Sequence, residues 1–153
     1  APTDDTLNKM ASWYTEGTEV VFACGGGLYL SVVAAAEAAG AKVIGVDVDQ
    51  YAESELIITS AMKELANSTI LSLEALYANN LVWPEGYAGT TSTLGAADGC
   101  VGLPTAETSW RFENYTVAEY EALFAEMVAG NVAVSNAIDV APTVTNATVD
   151  YQG

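Results

Sequence analysis

Residues 19–46 constrain this chain more than any other segment. Glu19-Val-Val-Phe-Ala23 is a strand-length apolar run, Cys24 and Gly25-Gly26-Gly27 follow it, and residues 28–39 are rich in Ala and Leu up to Gly40. Residues 42–46 then form a second apolar run of strand length. Two short runs separated by a turn and a helix-length segment make a βαβ unit. Its strands are parallel, its crossover is right-handed, and both strands read as buried. Parallel strands need helices over their faces, so the fold class is α/β, with an open, mostly parallel sheet flanked by helices.

The rest of the chain extends that pattern. Leu7, Met10, Ala11, Trp13 and Tyr14 fall at helical spacing behind Thr3, Asp4 and Asp5, which are available as caps, and Gly17 stands just past the end. Residues 56–59 read as a third, shorter strand, and 61–77 as the helix after it. Between 79 and 104 the helical period is lost and Gly, Thr and Ser dominate. Around the Asp98-Gly99 turn signal, residues 87–94 and 100–103 read as two short strands, a β-hairpin region spanning about 87–103. Thr116-Val-Ala-Glu119 is a capping box that opens an amphipathic helix carrying Tyr120, Leu123, Phe124 and Met127, closed by Gly130. Residues 131–153 read as an irregular or β-prone tail. With 153 residues in all, the whole chain is expected to be a single α/β lobe.

Composition removes several functions. Twenty acidic residues stand against four Lys and Arg, giving a net charge of −16, so binding to nucleic acid or to an anionic membrane surface through basic residues is excluded. Hydrophobic residues make up 51% of the chain, which excludes intrinsic disorder despite the charge. Histidine is absent, and with it every Ser-His-Asp, Cys-His or HExxH mechanism. No zinc spacing, catalytic constellation or metal site is legible, and no apolar run reaches spanning length. Cys24 and Cys100 read as two buried thiols, with one bridge as the alternative. The chain lacks a Met start and a leader-like segment, and reads as a mature protein or an excised piece.

In an open α/β sheet the ligand side is the carboxyl edge of the strands. Three polar features belong there. Gly25, Gly26 and Gly27 let backbone N–H groups approach a ligand, or serve only as a turn needing positive φ. Asp47, leaving the second strand, is placed to accept from a vicinal diol, or to cap its own loop. Lys63, assigned to the first turn of the helix after the third strand, would aim an ammonium group over the same edge, or sit in solvent. A cation at a helix start opposes the macrodipole, which asks for a reason in a chain with so few. Asp49 alternates away from Asp47. The rings of Tyr29, Tyr51, Trp83, Tyr87, Trp110 and Tyr115 could stack on a heterocycle but are mostly expected to be core.

Two readings fit this edge. One is a Rossmann-like nucleotide-cofactor enzyme domain, because the loop is glycine-rich and Asp47 stands about where a ribose-binding acid belongs. That fingerprint fails at its third glycine, where Leu30 is expected to wedge the helix away from the strand. The other reading comes from resemblance. Gly17-Thr-Glu-Val-Val-Phe-Ala23, Gly25-Gly-Gly27, Ile44-Gly-Val-Asp-Val-Asp-Gln50, Ile58-Thr-Ser-Ala-Met-Lys63 and Gly99-Cys-Val-Gly-Leu103 resemble the basic membrane protein family. These are extracytoplasmic solute-binding lipoproteins of ABC transporters whose characterised members bind nucleosides.

The resemblance implies two α/β lobes closing on a ligand, with this chain supplying mainly the C-terminal lobe and the N-terminal lobe missing. It implies that the glycine loop, Asp47 and Lys63 hold a ribose, without cofactor or bond chemistry. An ABC permease would be the protein partner. The full-length precursor would be lipid-anchored at the bacterial cell surface or in the periplasm. An acid and an ammonium also suit neutral hydroxyls better than a pyrophosphate, which Asp47 would repel. The cleft edge of the lone lobe would be free to self-associate.

Overall fold

Two helices laid side by side cover one face of a four-stranded sheet. In the computed structural model, which describes residues 1–141 and 143–151, the helices are α1 (Asp4–Thr15), α2 (Tyr29–Ala39), α3 (Leu65–Ala78) and α4 (Val117–Val128). The strands are β1 (Val20–Phe22), β2 (Lys42–Asp47), β3 (Ile57–Lys63) and β4 (Val101–Gly102), in spatial order β1-β2-β3-β4. β1, β2 and β3 are mutually parallel, and β4 pairs antiparallel with β3.

Local chemistry sets the helix ends. Thr3 Oγ1 accepts from the Thr6 N–H at 3.1 Å and caps α1. Gly17, at φ +105°, ends the helix, with Thr18 N–H donating to Trp13 O at 3.0 Å. Gly40, at φ +67°, ends α2 in the same left-handed manner. The capping box at Thr116 and Glu119 forms in both directions, at 3.2 Å and 2.8 Å.

The core lies between α1, α2 and the sheet. Met10, Tyr14, Val32, Val33, Ala35 and Ala36 from the helices meet Val21, Val43 and Ile57 from the strands. Tyr14 also donates its hydroxyl to Lys42 O at 3.1 Å, tying α1 to the start of β2.

Several expectations change. β1 is not buried throughout: Val21 is, but Val20 and Phe22 are 40% and 49% exposed, because β1 is an edge strand covered on one face only. The third strand runs on to Lys63 rather than giving way to helix at 61, since Ala61 and Met62 pair with β2 while Met62 and Lys63 pair with β4. Pairing on both sides overrides the helical preference of Ala-Met-Lys. The 87–103 hairpin does not form. Residues 87–94 carry no strand, and Val101–Gly102 pairs with β3 instead. The Asp98-Gly99 turn does form, as a 3-10 turn over Ala96–Asp98 with Gly99 at φ +63°. Cys24 is exposed, not buried, whereas Cys100 is buried, and both thiols are free. Among the described residues of the 131–153 tail there is neither helix nor strand, and Pro142, Gln152 and Gly153 lie outside the described residues.

Ile57 is fully buried at the centre of the sheet. Ile57→Ala is expected to cost about 2–5 kcal/mol of stability, and Phe22→Ala much less, which a shift in the midpoint of urea unfolding will measure.

Candidate functional site

The first component is the turn after β1. Cys24 N–H donates to Phe22 O at 3.1 Å and Gly25 N–H to Ala23 O at 3.0 Å, so the chain curls tightly as it leaves the sheet. A 3-10 turn over Gly26–Leu28 then feeds directly into α2. Gly26 adopts φ +55°, which favours glycine, and a Cβ on Gly26 or Gly27 would meet no atom within 4 Å. Positive φ accounts for Gly26. At Gly27 nothing in the chain crowds the backbone, and the exposed turn offers it to solvent.

The second component is an ion pair. β2 and β3 run parallel, with Asp47 opposite Met62. Lys63 follows directly, and its Nζ lies 2.8 Å from Asp47 Oδ1. Asp47 sits at φ +70°, unusual for a residue with a side chain. Its Oδ1 is covered and has the Lys63 ammonium as its partner, while the side chain as a whole is 37% exposed. That leaves Oδ2 as the carboxylate oxygen open to a ligand. The hydrogen bond that the Lys63 ammonium donates to Asp47, and then the Asp47 charge, raise the Lys63 pKa above its ordinary 10.5, with burial opposing and Cys24 adding slightly.

The third component is an open, largely apolar cleft of about 380 Å³ beside the pair. Phe22, Val46 and Met62 from the strands face Tyr120, Phe124 and Met127 of α4, and Cys24 and Lys63 stand on its lining. Tyr120 accepts from the Leu103 N–H at 2.9 Å, which fixes α4 against the segment after β4. The sequence marks these α4 positions as an amphipathic face, and nothing in that periodicity distinguishes a face lining a cleft from one buried in a core.

A family model described as Bmp, ABC transporter substrate-binding protein PnrA-like, matches residues 3–136. The chain belongs to the Bmp family. That family is described as one of ABC-transporter substrate-binding proteins. Among solved structures, the chain is similar to the crystal structure of a transcriptional activator of the comK gene from Bacillus halodurans, with a TM-score of 0.59 at 19% identity. That likeness speaks for the fold. It covers 82% of this chain and 41% of the other, so this Bmp chain spans less than half the length of that relative. No curated protein matches it. Among the described residues, no helix is long and apolar enough to cross a membrane, and no group of His, Cys, Asp or Glu could hold a metal ion.

The Bmp chain brings Asp47 and Lys63 into contact. Its parallel β1 and β2 set the turn of Gly25, Gly26 and Gly27 at the same sheet edge. Lys63 arrives there as the last residue of β3, not on a helix, so the macrodipole argument does not apply to it. Asp49 faces elsewhere, accepting from Ser109 Oγ at 2.6 Å and from the Tyr51 N–H at 3.2 Å. Leu30 does not wedge α2 from the sheet. It is exposed beside Pro2 and Leu7, and α2 packs through Val32, Val33, Ala35 and Ala36. Of the six rings mostly expected to be core, none is buried: Tyr51 and Trp83 are exposed and Tyr29, Tyr87, Trp110 and Tyr115 are half-buried, with Trp83 and Tyr87 stacked on each other at 5.2 Å and Trp110 packed on Tyr115 at 5.7 Å. The rings on the cleft are Phe22, Tyr120 and Phe124, which composition could not single out.

Because its folded pKa is raised, Lys63 contributes stability that is complete below its ordinary value of 10.5 and lost as pH rises through the raised midpoint. Asp47→Asn is expected to bring the Lys63 midpoint down towards the ordinary lysine value, as read by NMR titration of the side-chain Cε and Hε resonances. It should also remove this contribution to the alkaline loss of stability.

Proposed function

We propose that this chain is the C-terminal ligand-binding lobe of a two-lobed ABC-transporter receptor for a nucleoside or a similar ribose-bearing solute. The observation that carries the reading is the 2.8 Å contact of Asp47 and Lys63 beside a bare glycine turn. A sugar hydroxyl both donates and accepts, so a vicinal diol can donate to Asp47 Oδ2 while a ribose oxygen accepts from the Lys63 ammonium. The N–H groups of Gly26 and Gly27 approach the same sugar with no side chain in the way, while Gly25, its N–H already given to Ala23 O and its Cα crowded by Leu28, shapes the turn instead. Together the pair is neutral and already formed, which suits an uncharged polyol and lowers the cost of ordering the site on binding.

Recognition is the whole of the mechanism on this reading, and no bond is made or broken. A second lobe supplies the opposite wall and closes over the ligand. An ABC permease receives the loaded receptor, and a lipid anchor on the full-length precursor holds it at the bacterial cell surface or in the periplasm. A lipid-attachment signal encoded upstream, ahead of a second α/β lobe of similar size, would support this arrangement. A self-contained open reading frame without them would count against it.

Isothermal titration of the two-lobed receptor with adenosine and with 2′-deoxyadenosine tests the diol contact. The deoxynucleoside is expected to bind more weakly by roughly 1–3 kcal/mol, the cost of leaving a buried partner unpaired. Equal affinities would remove Asp47 and Lys63 from the ribose. The isolated chain is expected to bind either nucleoside only feebly. Its exposed apolar edge, including Val20 and Phe22, is expected to show species larger than monomer in light scattering once salt screens the net charge of −16.

A further inference from the structure

We propose that Gln50 and Ser60 are positioning residues of the site, a buried pair that locks the turn delivering the Asp47 carboxylate to Lys63. The proposal takes its consequence for ligand affinity from the nucleoside reading above. Its consequence for the Asp47–Lys63 contact stands on the turn alone.

The turn needs a lock. Val48 N–H donates to Val46 O at 2.8 Å and closes a three-residue loop with Asp47 at its centre, at φ +70°. A γ-turn of that hand is rare and strained. An unrestrained chain would relax to negative φ and swing the Asp47 side chain away from β3. The residues on both sides of Asp47 are tethered instead. Before it, Val46 N–H donates to Gln50 Oε1 at 2.9 Å. After it, Gln50 N–H donates to Ser60 Oγ at 3.0 Å. Gln50 and Ser60 are both buried, so neither bond has water as an easy substitute.

The lock is anchored on the strand that matters. Ser60 lies on β3 opposite Gly45 of β2, three residues before Lys63. The Gln50 side chain folds back over Gly45, where a Cβ would stand 2.6 Å from both Gln50 Oε1 and Ser60 Oγ. Gly45 therefore leaves room for the lock and Ser60 ties it to β3. The turn carrying the carboxylate is thereby fixed to the strand carrying the ammonium. The groups facing Lys63 are Asp47 and the Cys24 thiol.

The chain has three lysines, Lys9, Lys42 and Lys63, so their side-chain resonances can be titrated separately by NMR. Gln50→Met keeps the length and bulk of the side chain and removes the acceptor. Ser60→Ala removes only the partner of the Gln50 N–H. In each variant that keeps its fold by circular dichroism, the Lys63 midpoint is expected to fall towards the ordinary lysine value of 10.5, as in Asp47→Asn. The midpoints of Lys9 and Lys42 should stay unchanged. In the two-lobed receptor, Gln50→Met is expected to weaken adenosine on the order of tenfold. A folded Gln50→Met chain with an unmoved Lys63 midpoint would overturn the proposal. So would loss of fold in both variants, because the pair would then serve the core rather than Asp47. If the midpoint moves as expected but the unsubstituted receptor ignores nucleosides, the positioning role stands and the nucleoside reading falls.

Discussion

The register between β2 and β3 governs what can meet at the edge of the sheet. Val43 pairs with Ile57, but Ile44 pairs with Thr59, so β3 carries one residue more than β2 across that step. In an unshifted register Asp47 would lie opposite Ala61. The extra residue, Ile58, places it opposite Met62, with Lys63 next along the strand. Such an irregularity leaves carbonyls that the ladder does not use. Arg111 takes them up. Its N–H donates to Ile58 O at 3.0 Å and its guanidinium to Ile57 O and Ser54 O at 2.9 Å and 2.8 Å. A cation far along the chain thus holds the shifted start of β3, and the shift brings the lysine level with the aspartate.

Layering decides where a ligand could enter. α1, through Met10 and Tyr14, and α2, through small and branched side chains, seal one face of the sheet, leaving the opposite face to α4 and to solvent. α4 packs beside that face, with Tyr120, Phe124 and Met127 across a cleft from Phe22, Val46 and Met62. The cleft reaches Lys63, so an apolar wall and an ion pair adjoin at the carboxyl ends of parallel strands. Convergence at that edge is the general rule for open α/β sheets. α3 contributes little to either layer: it has no buried residue, and Leu65, Ile70, Leu73 and Tyr77 are exposed.

The legible parts of the fold were those with local causes. The βαβ unit, the glycine that ends α2 and the Thr116–Glu119 box all follow from periodicity and capping chemistry over a few residues, and all appear. The parts misread have distant causes. Nothing in Ala61-Met62-Lys63 favours strand until β2 and β4 flank it, and residues 87–94 have no strand to pair with once Val101 pairs with Lys63. The exposure of Phe22 depends on β1 being an edge, which is a fact of topology rather than of residue type. Within the site, Asp47 and the glycines were legible as polar or bare positions at strand ends, and Lys63 as a cation the chain uses sparingly. The shared wall of α4 and the network of Gln50, Ser60 and Gly45 were not, since both depend on contacts between elements.

On the nucleoside reading, charge would set the selectivity of the candidate site. Four cations serve the whole chain, and the structure gives three of them evident tasks: Lys9 lies 5.3 Å over the Trp13 ring, Arg111 supports β3, and Lys63 holds Asp47. No surplus positive charge remains near the cleft to welcome an anion, and the remaining field is that of a molecule at −16. A phosphate approaching this edge would meet long-range repulsion, screened only beyond a Debye length of about 8 Å at physiological salt. It would then have to compete with Asp47 for Lys63. A neutral diol faces neither obstacle, and it can use the carboxylate and the ammonium together without separating them. On that reading, the scarcity of basic residues that offers a phosphate backbone so little to bind would also favour an uncharged, hydroxyl-rich solute at this edge over a nucleotide.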